Sequence, residues 1–273
     1  MNKAPLIEVG PTKVVSFPHI TVPHGCSTRV GGVSEGHLSS LNAGFTVGDE
    51  PLNVWRNREI FSAHLGVENL PWLLSMTHGT EVAIISSAAP VPPDKTLRPG
   101  TFYSADACVT EVPGVPLSLT VADCVPVFFH DPVKGAVGVA HAGWRGTVGR
   151  IVTGTVEAMV NGLGCQAENI RVGIGPSIGP DSFEVGPEVV EEFRAAFPDL
   201  PNLVREHPDA SQAAAGKAYV NLWEANRRAA LEGGVKPENI VVSGWCTVKH
   251  PELFFSHRRD QGKSGRLLAA IRL

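Results

Sequence analysis

Residues 124–141 read Cys-Val-Pro-Val-Phe-Phe-His-Asp-Pro-Val-Lys-Gly-Ala-Val-Gly-Val-Ala-His. Two apolar runs flank Asp131-Pro132-Val133-Lys134, whose composition is typical of a turn, and the pattern predicts a β-hairpin. If these four residues form the loop, Cys124 lies directly opposite His141. Directly opposed Cβ atoms are ~4.5 to 5.5 Å apart, a span that one zinc or copper ion bridges with bonds of ~2.0 to 2.3 Å. The inference depends on register, because a slip of one residue would place the two side chains on opposite faces.

The residues beside this pair favour a reactive site over an ordinary hairpin. Asp123 precedes the cysteine, and His141 opens His-Ala-Gly-Trp-Arg-Gly (141–146), a glycine-rich turn into a helix predicted for residues 147–163. The N–H groups and positive dipole at a helix start, with Arg145 beside them, predict an anion site. The alternative is structural: Cys124 fills the core, His141 is an ordinary surface histidine, and the glycines only permit the turn.

Hydrophobic periodicity predicts alternating helices and strands in the rest of the chain. Helices are expected at 51–65, 147–163, 187–197 and 220–231, and strands at 117–121, 125–129, 136–140 and 170–174. The proline-rich stretch from Ala88 to Gly100 is interpreted as a long surface loop. Glu-Asn-Ile occurs at 168–170 and 238–240, each time opening a predicted strand, which hints at a duplicated unit. The whole pattern predicts an α+β or mixed α/β fold with mixed sheets, forming a single domain over residues 1–273.

The composition excludes several classes of protein. Hydrophobic residues make up 43% and charged residues 18% of the 273 residues, enough apolar material for a sizeable core. The net charge of −4 comes without a basic stripe, so nucleic acid is not an expected partner. Because no segment resembles a secretory signal or a membrane span, we expect a cytoplasmic protein without membrane association. The five cysteines include no Cys-x-x-Cys pair, which argues against a disulfide scaffold.

Eight short motifs follow one another along the chain. They are Thr28-Arg29-Val30-Gly31-Gly32-Val33-Ser34, Leu41-Asn42, Thr77-His78-Gly79, Asp106-Ala107, Ala122-Asp123-Cys124, His141-Ala142-Gly143-Trp144-Arg145-Gly146, Gly175-Pro176-Ser177-Ile178-Gly179 and Ser256-His257-Arg258-Arg259-Asp260. Each motif alone is common, but their order and number resemble the YfiH-like laccase-domain family, also called multicopper polyphenol oxidase-like proteins or purine nucleoside phosphorylases. The resemblance extends over nearly the whole chain and implies a layered α/β/β/α single-domain fold.

The resemblance also implies a metal ion, Zn²⁺ or Cu²⁺, held by His78, Cys124 and His141. Three protein ligands with an open fourth position are typical of a catalytic zinc site, where water is acidified or a substrate oxygen polarised. We expect Asp123 to act beside the ligands as a support or an acid/base group, so that Cys124, His141 and Asp123 form the catalytic set.

The function implied by the resemblance is phosphorolysis of purine nucleosides. Inosine and adenosine are the expected substrates, with 5′-methylthioadenosine as a further candidate and adenosine deamination as a side activity. Arg29, Asn42 and Arg145 are expected to bind substrate or phosphate. The expected partners are the nucleoside and phosphate, and a homodimer is the assembly to test. The zinc deaminase signature H-x-E with P-C-x-x-C is absent, so deamination would use a different set of residues.

Three alternatives belong to other classes. A copper polyphenol oxidase would suit a His₂Cys ligand set, but the sequence has no His-x-His pair to build a multinuclear cluster. A Cys/His hydrolase acting on cell-wall peptide precursors would use Cys124 as nucleophile and His141 as base without a metal. A non-enzymatic zinc-binding protein is the remaining class. Two departures from the family pattern bear on substrate detail: Met76 stands where glutamine is usual, and His257 where tyrosine is usual.

Overall fold

The computed structural model describes residues 3–68, 74–87 and 103–273. In these residues the α-helices are α1 (Pro51–Leu65), α2 (Trp144–Val148), α3 (Ile151–Glu157), α4 (Pro187–Ala196), α5 (Ala210–Ala214) and α6 (Leu222–Glu232). The strands are β1 (Leu6–Val9), β2 (Thr12–Val15), β3 (His24–Ser27), β4 (Val82–Ile84), β5 (Ala107–Thr110), β6 (Leu117–Val121), β7 (Val125–Asp131), β8 (Ala136–Ala142), β9 (Arg171–Ile174), β10 (Glu184–Val185), β11 (Val204–Glu206), β12 (Ala218–Val220), β13 (Ile240–Val242) and β14 (Leu267–Ile271). The stretch from Ala88 to Gly100, predicted to be a surface loop, lies outside the described residues.

The predicted hairpin is present as β7 and β8, at the centre of a six-stranded mixed sheet with the order β13-β9-β7-β8-β5-β4. Its register differs from the predicted one, because His141 pairs with Pro126 and not with Cys124. Residues two apart on a strand point to the same face, so this shift keeps Cys124 on the face of His141. The two residues are therefore diagonal neighbours rather than directly opposed ones.

The turn between the two strands explains the shifted register. Asp131 and Ala136 are the last paired residues, so the loop contains Gly135, which the sequence had placed in the strand. Gly135 adopts φ of 71°, a left-handed conformation that favours glycine. The Asp131 carboxylate accepts the N–H groups of Val133 and Lys134 at 2.9 and 3.0 Å, which fixes the start of the loop.

Alternate side chains of the central strands point to opposite faces of the six-stranded sheet and pack into two different apolar layers. Val127 and Phe129 of β7 pack with the residues of α3 and α6, while Phe128 faces the five-stranded antiparallel sheet with the order β1-β2-β3-β14-β6. Phe61 and Leu65 of α1 cover the outer face of that second sheet. The order of helices, sheet, sheet and helix confirms the expected mixed α/β fold and its α/β/β/α layering.

The helix predicted for residues 147–163 begins earlier and is interrupted. It starts at Trp144 as α2, and α3 begins at Ile151 after Arg150, which has φ of 66°. Tertiary contacts hold Arg150 in this conformation: its guanidinium lies 3.7 Å from the ring centroid of Phe197, and its Nε lies 2.8 Å from the Glu232 carboxylate. The other three predicted helices correspond to α1, α4 and α6.

Two further features concern the organisation of the chain. Each Glu-Asn-Ile stretch contributes to a short 3₁₀ turn that leads into a strand, and the two strands, β9 and β13, are parallel neighbours. Strands β10, β12 and β11 form a small separate antiparallel sheet.

The described helices do not meet the requirements of a membrane span. None of them is both long enough and apolar enough to cross a membrane.

Candidate metal centre

Three side chains from separate parts of the chain converge beside the apolar layer between the two large sheets. Cys124 immediately precedes β7, His141 lies in β8, and His78 lies in the loop before β4. One ligand atom from each residue lies within 4.8 Å of the other two. The imidazole rings of His78 and His141 meet edge to face, with their centroids 4.9 Å apart. The structure therefore brings together the three residues expected to bind a metal.

Asp106 connects the two histidines. Its Oδ1 accepts the Nδ1–H of His141 and the backbone N–H of His78, both at 2.9 Å. Its Oδ2 accepts the backbone N–H groups of Thr77 and Gly79 at 3.0 and 2.8 Å. Because Nδ1 of His141 is used by Asp106, Nε2 is the nitrogen left for a metal ion. The carboxylate thus holds both the His78 loop and the His141 ring in place.

The electrostatics of the cluster favour a thiolate. Burial by itself raises the pKa of Cys124, but His141 and His78 more than offset that effect and lower the pKa to about 6. Burial lowers the pKa of His141, whereas Cys124 and Asp106 raise it, and the net effect is a raised pKa. Burial also raises the pKa of Asp106, yet hydrogen bonds from His141 and Gly79 hold that pKa well below its usual range. At neutral pH Cys124 is therefore in the form that binds a metal or attacks an electrophile.

The space around the cluster fits an ion. A Cβ atom added at Gly143 would lie 3.2 Å from both Cys124 Sγ and His78 Cδ2, and 3.6 Å from His141 Cε1. Gly143 has φ of −66°, which any residue can adopt, so glycine is needed here for space and not for conformation. Two imidazole nitrogens and a thiolate form a donor set that zinc and copper both accept. The residues present are therefore suited to a single metal ion.

Asp123, expected to act in catalysis, anchors the chain just before Cys124. It has φ of 83°, an uncommon value for a residue other than glycine. Its Oδ1 accepts the hydroxyl of Thr247 at 2.5 Å, and its Oδ2 accepts the Ser256 hydroxyl at 3.0 Å and the Arg258 N–H at 2.6 Å. Since both oxygens accept hydrogen bonds from the protein, the structure favours positioning over proton transfer for this group. Its catalytic role stays a prediction.

Two cavities meet at Cys124. The smaller, of about 140 Å³, is largely apolar and is lined by Trp144 and Phe183. The larger, of about 460 Å³, is lined by all three candidate ligands and by Arg266. Ala122, Cys124 and His257 belong to the walls of both. A substrate with an apolar ring at one end and a polar group at the other would place its middle beside the candidate metal ligands.

The three residues predicted to bind substrate or phosphate lie outside the described walls of both cavities. Arg29 donates to two backbone carbonyls, and Asn42 is fully buried, with its Oδ1 accepting the backbone N–H of Arg266 at 2.9 Å. Arg145 is exposed, and its guanidinium lies 4.2 Å from the ring centroid of Trp144. These contacts explain each residue structurally, and a role in binding substrate remains a prediction for all three.

Sequence reasoning did not select Asp106 or Arg266 for the site. The signal for Asp106 was its place directly before a buried strand, where a carboxylate can support a histidine from a neighbouring strand. Arg266 directly precedes the last strand and carried no comparable signal. Met76 and His257, the two departures from the family pattern, both line the larger cavity. Their position supports the expectation that they affect substrate detail.

A cluster of three potential metal ligands beside two cavities is an arrangement typical of an enzyme site. Residues 23–273 match the family described as multi-copper polyphenol oxidoreductase laccase. The chain is 40% identical over 257 residues to a purine nucleoside phosphorylase of Deinococcus radiodurans, covering 94% of this chain and 91% of the relative. It is 38% identical over 234 residues to adenosine deaminase RL5 from an unknown prokaryotic organism, covering 85% of this chain and 87% of the relative.

The crystal structure of Bacillus licheniformis hypothetical protein YfiH gives a TM-score of 0.83 at 30% identity, with 98% of this chain and 99% of that chain covered. This chain therefore belongs to the YfiH-like laccase-domain family. The family description mentions several coppers, whereas the described residues hold one group of three metal-ligating side chains close enough to share an ion. That donor set fits one metal ion rather than several coppers.

Proposed function

We propose that the chain is a metal-dependent purine nucleoside phosphorylase that acts on inosine or adenosine and deaminates adenosine as a side activity. The observation that carries the proposal is the convergence of His78, Cys124 and His141 where an apolar cavity meets a cleft containing an arginine. The relatives named purine nucleoside phosphorylase and adenosine deaminase, at 40% and 38% identity, support the same two reactions.

Phosphorolysis replaces one bond at the sugar by another. An oxygen of inorganic phosphate forms a bond to C1′ of the ribose, and the bond between C1′ and the purine nitrogen breaks. The electron pair of that bond leaves with the purine, which takes up a proton, and the second product is ribose 1-phosphate. The protein must therefore hold the base, orient the sugar and bring phosphate to C1′.

The smaller cavity suits the base. Trp144 and Phe183 offer aromatic surfaces on which a planar purine can stack, and the buried side chain of Ile178 adds an apolar wall. With the base in this cavity, the ribose lies beside Cys124, one of the residues that line both cavities. A metal ion bound at the three ligands would supply a Lewis acid that polarises a substrate oxygen. Asp106 contributes by keeping the His141 ring and the His78 loop oriented toward that point.

The proposal is tested by incubating purified, metal-loaded protein with inosine and phosphate and measuring hypoxanthine by chromatography. We expect phosphate-dependent release of hypoxanthine, reduced to background in His78→Ala. The matched control is His37→Ala, which removes an exposed histidine from the turn at residues 36–38 and should keep wild-type activity. Wild-type protein that releases no more hypoxanthine than His78→Ala would refute the phosphorylase proposal.

One observation favours a second candidate, a cysteine hydrolase. Asp106, His141 and Cys124 form a carboxylate, imidazole and thiol series, with 2.9 Å between His141 Nδ1 and Asp106 Oδ1 and a lowered pKa for the thiol. The same order of groups activates the nucleophile of cysteine hydrolases. Chelation separates the two candidates, because a hydrolase that uses Cys124 as nucleophile stays active after the metal is removed, whereas the proposed phosphorylase loses activity.

A further inference from the structure

The larger cavity, here called the cleft, has polar groups in its lining that include, among the described residues, a guanidinium but no carboxylate. Apart from the ligands, its polar lining consists of three hydroxyl side chains, an imidazole and a guanidinium: Thr46, Ser75, Thr120, His257 and Arg266. In the described part of the chain, no aspartate or glutamate lines this cleft. This described lining combines hydrogen-bond donors with a guanidinium and no carboxylate, which would favour a bound anion once a metal ion at the three ligands offsets the negative charge of Cys124.

Contacts with neighbouring residues fix the backbone of Arg266, the aliphatic stem of its side chain and one nitrogen of its guanidinium. Its Nη1 donates to the carbonyls of Ser264 and Gly265 at 2.8 and 3.1 Å, and its backbone N–H donates to Asn42 at 2.9 Å. Its Cβ and Cγ lie over Gly44, where an added Cβ would approach to 2.9 and 2.6 Å. The guanidinium is therefore fixed before any ligand binds, which reduces the entropy lost on binding.

Two donor groups of this guanidinium remain for a ligand. Within the described residues, Nε and Nη2 of Arg266 have no hydrogen-bond acceptor, and neither is among the buried atoms that lack a partner. Nε–H and Nη2–H form one edge of the guanidinium, and this edge binds two oxygens of a carboxylate or phosphate at once. The geometry is that of a prepared oxyanion site.

We propose that Arg266 binds the inorganic phosphate used in phosphorolysis, in the cleft that also contains His78, Cys124 and His141. This inference rests on the proposed function for the identity of its ligand. Arg266 takes the role that the sequence had assigned to Arg29 and Arg145.

Arg266 lies close to the candidate metal site. Burial lowers its pKa, and attraction to Cys124 and Asp123 offsets only part of that effect, which places the guanidinium near both of these groups. An anion held by Arg266 is consequently close to Cys124, which lines both cavities. Phosphate in the cleft and purine in the smaller cavity would then reach the ribose between them from opposite sides.

The direct test is calorimetric titration of inorganic phosphate into metal-loaded protein without nucleoside. We expect Arg266→Gln to raise the Kd for phosphate about 10- to 100-fold, because the ligand loses two charge-assisted hydrogen bonds. Arg266→Lys, which keeps the charge but not the planar edge, should give an intermediate value. Gly44→Ala should also weaken phosphate binding, because it displaces the stem of Arg266 and leaves the charge unchanged.

The matched control is Arg56→Gln, which removes the same charge from an exposed position on α1 and should leave the Kd unchanged. Melting temperature and metal content of every variant establish that it is folded and loaded. Folded Arg266→Gln that binds phosphate with the wild-type Kd would overturn the inference.

Steady-state kinetics separate this inference from the proposed function. If inosine is cleaved, Arg266→Gln should raise KM for phosphate about 10-fold or more and change KM for inosine much less. Turnover with an unaltered KM for phosphate would retain the phosphorylase and reject Arg266. Conversely, Arg266-dependent phosphate binding in a protein that cleaves no nucleoside would retain the oxyanion site and reject the phosphorylase.

Discussion

Replacing Asp106 by asparagine tests how far the metal centre depends on a group that does not bind the metal. The carboxylate is fully buried and accepts five hydrogen bonds, from Thr77 (backbone and hydroxyl), His78, Gly79 and His141. Asparagine has nearly the same shape but offers one oxygen in place of two. Whichever way its amide points, the NH₂ group faces at least two N–H donors, and the negative charge next to His141 disappears.

The magnitude follows from these lost contacts. Hydrogen bonds to a charged group contribute about 1.5 to 3 kcal/mol each, and the remaining oxygen keeps part of the network, so we expect Asp106→Asn to lower the free energy of unfolding by about 2 to 4 kcal/mol. Loss of a group that orients a metal-binding histidine typically weakens metal binding 10- to 100-fold, or about 1.4 to 2.7 kcal/mol. The two effects are measured separately, by urea unfolding and by zinc competition against a chromophoric chelator.

Asp131→Asn is the control for this experiment. Asp131 is also fully buried and also accepts backbone N–H groups, from Val133 and Lys134, but it lies at the opposite end of β7 from Cys124. Its replacement should lower stability without changing zinc affinity. If Asp106→Asn binds zinc as tightly as the wild type, the argument that this carboxylate orients the ligands is wrong.

Two further predictions follow from the packing. Gly143→Ala should weaken zinc binding at least about 10-fold in a folded protein, because the new Cβ would lie 3.2 Å from Cys124 Sγ. The control is Gly154→Ala, whose new Cβ would have no atom within 4 Å. This control should leave zinc binding unchanged and stabilise α3 by about 0.5 to 1 kcal/mol. Burial lowers the pKa of His24 to about 4, so the folded state resists protonation of a ring that accepts the Phe17 N–H. This ring alone should contribute a fall in stability of about 2 to 3 kcal/mol as the pH drops from 7 to 4.5, in addition to the contribution of His130, whose pKa burial also lowers to about 4. Urea unfolding at the two pH values measures this, and His24→Gln should reduce the difference; an unchanged pH dependence would contradict the assignment.

The part of the site that could be predicted from the residues alone is the part carried by one hairpin. Cys124 and His141 belong to consecutive strands, and the two-residue period of a strand decides which face each side chain takes. The predicted direct pairing of Cys124 with His141 was wrong by two residues, since His141 pairs with Pro126. A shift of two residues leaves each side chain on the same face of the sheet, so the prediction that the thiol and the imidazole share a face was unaffected. Gly135 adopts a left-handed conformation and belongs to the loop, so the second strand begins one residue later than the predicted loop implies, at Ala136.

The predicted helix at residues 147–163 shows the corresponding limit. Its apolar positions follow the helical period across the break, so the pattern contained no sign of an interruption. Arg150 takes a left-handed conformation in contact with Phe197 and Glu232, residues far away in the sequence. Interactions of this kind override local propensity, and a local pattern does not contain them.

The sequence by itself determined the alternation of strands and helices, the hairpin, and the common face of a thiol and an imidazole, because these depend on periods of a few residues. Only the tertiary structure decided which distant groups join them. His78 reaches the cluster from a loop, Asp106 links it to His141, and Arg266 enters the adjoining cleft from the end of the chain. The physical reason is that long-range neighbours are set by how two sheets pack face to face, and the packing of sheets depends on the whole core and not on any one segment.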